Sequence, residues 1–218
     1  MDLMNKLYSR SNAIGLRPST LIAPPCPPES TKYPESLSSY IIRLANVHCI
    51  SVGQLVKQFL QPRISSKQSG HILHRCDDGY VTNGAGILGS ELFGTTKTLI
   101  TSADPNNYCS FYFLQSLVGT TYKNLLSKEL SWCPLCLEEP EQYYPLYWFS
   151  LSVSCCLKHH IKLISSCPKC EAKLNVLSAS TTTHNCSSCG AFISAKSSHE
   201  YDFECATEKE LWIARSIN

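Results

Sequence analysis

Apolar residues recur at Leu37, Tyr40, Ile41 and Leu44, the i, i+3, i+4, i+7 spacing of one face of a helix. Pro34 and Ser36 mark its start, with Ser36 placed to cap the N-terminus. A second stretch, Leu55, Val56, Phe59 and Leu60, follows Ser51-Val-Gly-Gln54, which reads as a capping box, and Pro62 supplies the stop. Two short helices joined by a turn at 47–50 resemble a helix-turn-helix, and equally an ordinary helical hairpin in a small core. Further along, Ile87, Leu88, Leu92 and Phe93 predict short core-facing helices separated by glycine turns, with Gly94 as a break. Residues 111–117 and 122–130 predict more helix. The aromatic and β-branched run 143–153 predicts a strand, with 161–164 as its pairing partner. Residues 208–217 predict a closing helix that docks through Leu211, Trp212 and Arg215 or offers them to a partner.

The chain opens differently. Within residues 1–35, Leu21-Ile-Ala-Pro-Pro-Cys-Pro-Pro is too rich in proline for regular helix or sheet, because proline fixes the backbone and removes a donor. An extended arm is expected there, serving as a linker or as a docking segment.

Chemistry concentrates in residues 133–189. Four pairs follow one another: Cys133-x2-Cys136, Cys156-x2-His159, Cys167-x2-Cys170 and Cys186-x2-Cys189. A tight turn lets two side chains three positions apart converge on one ion, and a tetrahedral zinc needs two such pairs. Eight ligands therefore predict two Zn2+ ions. Four protein ligands fill each tetrahedron, so both ions are expected to be structural, each contributing on the order of 10 kcal/mol of folding free energy. Because Cys155 precedes Cys156 and His160 follows His159, a slip of one residue is open, and the x2 spacing selects Cys156 and His159. Cys26, Cys49, Cys76, Cys109, Cys155 and Cys205 stand singly and read as inert thiols.

These patterns predict an α+β protein: an arm at 1–35, a helical domain with the helix-turn-helix at 36–130, tandem zinc modules at 131–190, and a tail with a short helix at 191–218. No apolar run reaches the roughly 18 residues of a membrane span, and no signal-peptide pattern opens the chain, so a reducing, cytoplasmic setting is expected. The net charge of +2 does not announce a nucleic-acid binder. Residues 1–130 hold twelve Lys and Arg against eight Asp and Glu, while the remainder hold seven against nine, so phosphate contacts are expected in the first part. Gly84-Ala-Gly86-Ile-Leu-Gly89 matches a dinucleotide-binding glycine pattern, with Asp104 at a fitting distance, but it lacks the preceding strand and is not taken as a nucleotide site.

Pro34-Glu35-Ser36-Leu37 with Arg43-Leu44-Ala45, then Trp132-Cys-Pro-Leu-Cys136, Trp148, Cys156-Leu-Lys-His159 and Ser166-Cys-Pro-Lys-Cys170, resemble the TniQ (TnsD-related) transposition proteins over roughly residues 20–190. The resemblance implies a helix-turn-helix joined to zinc fingers, target-site selection and no enzymatic activity. It also implies an adaptor role. Small TniQ proteins of CRISPR-associated transposons link an RNA-guided effector complex with its guide RNA, or target DNA, to TnsC, the AAA+ ATPase that brings in the transposase. Such a protein is expected in bacterial cytoplasm, at the nucleoid when assembled. The TnsC contact is then expected on the arm and first helix, including Glu35 and Arg43, and nucleic-acid contacts at Lys57, Arg63 and Lys67. Three rivals carry distinct signatures. A RING ubiquitin ligase would cross-brace pairs one with three and two with four. An HNH nuclease would need an open metal site at His159-His160. A stand-alone sequence-specific DNA-binding protein would work without an effector.

Overall fold

The computed structural model describes residues 21–25, 27, 32–64, 86–101, 127, 129–140, 142–195 and 203–218. Helix α1 (Leu37–Val47) begins as expected: the Ser36 side chain accepts from the backbone N–H of Ser39 at 3.2 Å. Leu37, Tyr40, Ile41 and Leu44 are buried, but so are Ser38, Ser39, Ile42, Arg43 and Ala45. From Leu37 to Ala45 the helix is thus enclosed on all sides rather than along one face, and only its last turn, at Asn46 and Val47, is exposed. The segment 144–146 closes over its start: Leu146 N–H donates to the Pro34 carbonyl at 2.7 Å, and Tyr144 exchanges bonds with Ser36 and Ser39.

After a turn at His48 and Cys49, whose positive φ of 52° reverses the chain, α2 (Val52–Leu55) starts with the Ser51–Gln54 capping box. It continues as a π-helical segment Val56–Leu60 and ends as a 3-10 turn Gln61–Arg63. Pro62 has no N–H to return to the ladder, and the regular pattern widens just ahead of it. Gly53 has a specific role here. Its N–H donates to the Ala179 carbonyl at 3.1 Å, and an added Cβ would lie 3.0 Å from the Ala179 Cβ. Only glycine allows that approach, which joins α2 to the second half of the chain.

Helix α3 (Gly86–Leu99) runs unbroken through Gly94, contrary to the expected interruption. Thr96 and Thr98 side chains bond back to the Leu92 and Thr95 carbonyls, and α3 packs on the π segment of the α2 helix. Leu92 is buried as expected. The remainder of the glycine pattern, Gly84 and Asp104, lies outside the described residues. Strand β2 (Ile100–Thr101) follows and pairs in parallel with β1 (Leu21–Ile22), with Leu21 opposite Ile100. The proline-rich arm was not expected to enter a sheet; Leu21 and Ile22 do so because they precede the run that begins at Pro24 and keep their donors.

Two further expectations change. The predicted strand at 143–153 is a 3-10 helix, Leu146–Phe149, entered through Pro145. Tyr144, Tyr147, Trp148 and Phe149 are all buried, and a strand would have turned alternate rings to water. Residues 161–164 therefore pair elsewhere, with bridges Cys155–Lys162, Trp132–Ile164 and Ile161–Cys205. The end of the helix predicted at 122–130 is extended: Glu129 bridges Asn175, while 122–126 and the 111–117 segment lie outside the described residues.

Helix α4 (Glu208–Ile217) opens with a Thr207–Glu210 capping box. It buries Leu211 and Ala214 and leaves Trp212 67% exposed. Ser154 donates to Glu210 at 3.0 Å, and Asn218 at the other end donates to the Lys32 carbonyl at 2.9 Å, so the helix is tied at both ends. No described helix is long and apolar enough to cross a membrane.

Candidate metal centres

Three of the four ligand pairs sit on the same backbone turn. In each, the N–H of the residue after the second ligand donates to the carbonyl of the first: His160 to Cys156, Glu171 to Cys167 and Gly190 to Cys186, at 2.8–2.9 Å. The first ligand's N–H then donates to the carbonyl five residues on, at Ile161, Ala172 and Ala191. The residue closing each turn takes a left-handed φ, 55° at His160, 57° at Glu171 and 73° at Gly190. Antiparallel bridges Cys155–Lys162, Ser166–Lys173 and Asn185–Phe192 flank all three. Cys133 and Cys136 differ: Cys136 begins a 3-10 turn, Cys136–Glu138, instead of a left-handed reversal.

These turns gather the eight residues into two clusters, Cys133, Cys136, Cys156 and His159, and Cys167, Cys170, Cys186 and Cys189, with donor atoms within 4.8 Å of one another. In the first, Cys136 and Cys156 Sγ lie 3.6 Å apart, and His159 Nδ1 is 3.2 Å from Cys136 Sγ and 3.8 Å from Cys156 Sγ. In the second, Cys167–Cys189 and Cys170–Cys186 are each 3.7 Å apart. A Zn–S bond of about 2.3 Å implies a tetrahedron edge of about 3.8 Å. The donor sets and their spacing therefore fit a tetrahedral metal ion in each cluster. Pairing is sequential, one with two and three with four, so the cross-bracing of a RING does not occur. His159 belongs to a four-donor set, and His160 closes the turn outside it, which removes the open site that an HNH nuclease requires. Cys155 is buried outside the first cluster.

The first cluster polarises its own thiols. Hydrogen bonds from Cys133 and Cys136 hold Cys156 as the thiolate, lowered to about 2. Cys136 is raised by its bonds to Cys133 and Cys156 and by burial. For Cys133 the bond to Cys136 acts downward, but the bond to Cys156, burial and the neighbouring thiolate charge outweigh it and leave the thiol pushed up to about 12. Around this cluster Tyr147 donates toward Cys156 Sγ at 4.0 Å and accepts from Leu157 N–H at 3.1 Å. Trp132, beside the first ligand, bonds through Nε1 to the Ile193 carbonyl at 3.0 Å and so joins the two centres.

The residues expected to meet partners fall into two groups, a buried pair and exposed cations. Glu35 is 1% exposed and Arg43 9%, and they bind each other at 2.7 Å. Ser39 also donates to Glu35, and Arg43 donates to the Pro25 carbonyl. Neither presents charge at the surface; the pair holds the arm to α1. Lys57 and Arg63 are exposed, with Arg63 bonded to the Phe59 carbonyl at 2.9 Å. Lys67 lies outside the described residues. Sequence reasoning missed the left-handed residue that closes three of the knuckles, for which Gly190 was the available signal. It also missed Glu139 beside His159, whose only signal was an acid within one turn of a ligand.

Two four-donor clusters with the spacing of metal sites lie beside a small helical core, and every candidate ligand falls in one of them. The TniQ family pattern matches residues 29–163, more than half of the chain, spanning α1, α2 and the whole first cluster. The chain belongs to the TniQ family, whose role lies in target selection for transposition. A search among curated proteins finds no match.

Proposed function

We propose that this chain is a transposition adaptor: it links a TnsC-type AAA+ ATPase to an RNA-guided effector complex, or to target DNA, and so recruits the transposase without catalysing a reaction itself. The family match over 29–163 carries this reading. The two clusters support it, since zinc with four protein ligands braces a surface and leaves no position for substrate. An adaptor couples two modest binding free energies, so that each contact raises the effective concentration for the other. In this reading the two helices act as a helix-turn-helix, and Lys57 and Arg63 face nucleic-acid phosphates. Glu35 and Arg43 contribute by fixing the position of α1. The protein works in the bacterial cytoplasm, at the nucleoid when assembled. Pull-down of the ATPase with ATP present tests the first contact: recovery supports the adaptor, and its loss in both nucleotide states overturns it. Reversing charge at Lys57 and Arg63 together is expected to weaken guide-RNA or DNA binding and flatten its salt dependence.

A further inference from the structure

We propose that Glu139 is a metal-positioning residue, whose carboxylate receives the Nε2–H of His159 and fixes the ring nitrogen that faces the thiols. The inference rests on the metal reading of the first cluster. His159 turns Nδ1 toward the sulfurs, 3.2 Å from Cys136 and 3.5 Å from Cys133, and its other nitrogen lies 3.5 Å from Glu139 Oε1. The second oxygen, Oε2, accepts from Lys158 Nζ at 2.7 Å. The two side chains approach from opposite halves of the site. Glu139 closes the 3-10 turn that begins at the ligand Cys136, and Lys158 lies between the ligands Cys156 and His159. One knuckle thus delivers the acid and the other the cation that orients it.

The chemistry follows from the imidazole. A cation on Nδ1 withdraws electron density from the ring, strengthens Nε2–H as a donor and favours a carboxylate beside it. The same contact holds the tautomer in which Nδ1 keeps its lone pair. The second cluster has four thiols and needs no such partner.

The test is a Co2+ titration of the full chain, in which the absorption bands separate the histidine-containing site from the all-cysteine site, with a competing chelator to read each affinity. Glu139→Ala is expected to weaken the histidine-containing site by about tenfold to a hundredfold while leaving the all-cysteine site unchanged. Glu139→Gln is expected to lose less, since its amide oxygen still accepts from Nε2–H. Unchanged affinity at the histidine-containing site in Glu139→Ala overturns the proposal, as does an equal loss at both sites. Wild-type protein that binds no cobalt overturns instead the metal reading beneath it.

Discussion

A charge that leaves water needs its partner in place, and Arg43 illustrates the size of that demand. Burial raises the pKa of Glu35 above its ordinary 4.5, with the Arg43 charge and the Ser39 and Arg43 hydrogen bonds opposing. Because the folded value lies above the unfolded one, the contribution of Glu35 to stability is full below pH 4.5 and declines as pH rises through the raised value. Arg43→Ala would leave the carboxylate buried and unpaired, and we expect it to destabilise the fold by about 3–5 kcal/mol at neutral pH. The loss should shrink in acid, where Glu35 takes up a proton. The double change Glu35→Gln, Arg43→Met should recover most of it, read from urea midpoints at about pH 4 and about pH 7. The knuckle-closing residues give a second test. Glu171 holds a φ of 57° at which an L side chain is strained by roughly 1–2 kcal/mol. Glu171→Gly should therefore raise the thermal midpoint and Gly190→Ala should lower it.

At the scale of elements, the contact between α2 and Ala179 sets two rules against each other. Alanine is the better helix former by about 1 kcal/mol, yet the Cβ added by Gly53→Ala meets the Ala179 Cβ at 3.0 Å and its Cα at 3.3 Å. Backbone and a methyl cannot rotate away, so overpacking wins, and we expect a net loss of about 1–3 kcal/mol in chemical denaturation. The legibility of the sequence divides along similar lines. Ser36, the Ser51–Gln54 box and the 37, 40, 41, 44 spacing announce their helices because caps and periodicity are local. The four x2 pairs are equally local, and the structure brings together the residues that they name. The aromatic run 143–153 predicts a strand where the chain forms a 3-10 turn, because composition alone does not separate the two. What separates them is the demand that consecutive rings all face inward, which only the surrounding core imposes. Parallel pairing of β1 with β2 leaves no trace in two residues each. The burial of Arg43 was equally hidden, since its partners, Glu35 and the Pro25 carbonyl, come from a segment that composition marks as irregular.

For the whole molecule, the two candidate metal clusters sit among short turns and isolated bridges and pack beside a core that includes Trp132, Trp148, Leu174 and Val176. Chelation is expected to unfold residues 130–195 and to release α4, which we would follow by loss of near-ultraviolet signal and by cleavage after Lys162 or Lys173. Metal uptake should release protons, because Cys133, pushed up to about 12, and the raised Cys136 keep theirs at neutral pH when no ion is bound. Apparent affinity at the first cluster should thus climb with pH across the neutral range, measured by competition with a chelating dye. The ring of Tyr144 ties the second cluster to the helical part of the chain. Its backbone is locked to Ser36 and Ser39 at the head of α1, and its hydroxyl donates to the Thr183 carbonyl, three residues ahead of Cys186. One residue thus holds both attachments, so loss of an ion from the last knuckle is expected to loosen the head of α1 as well.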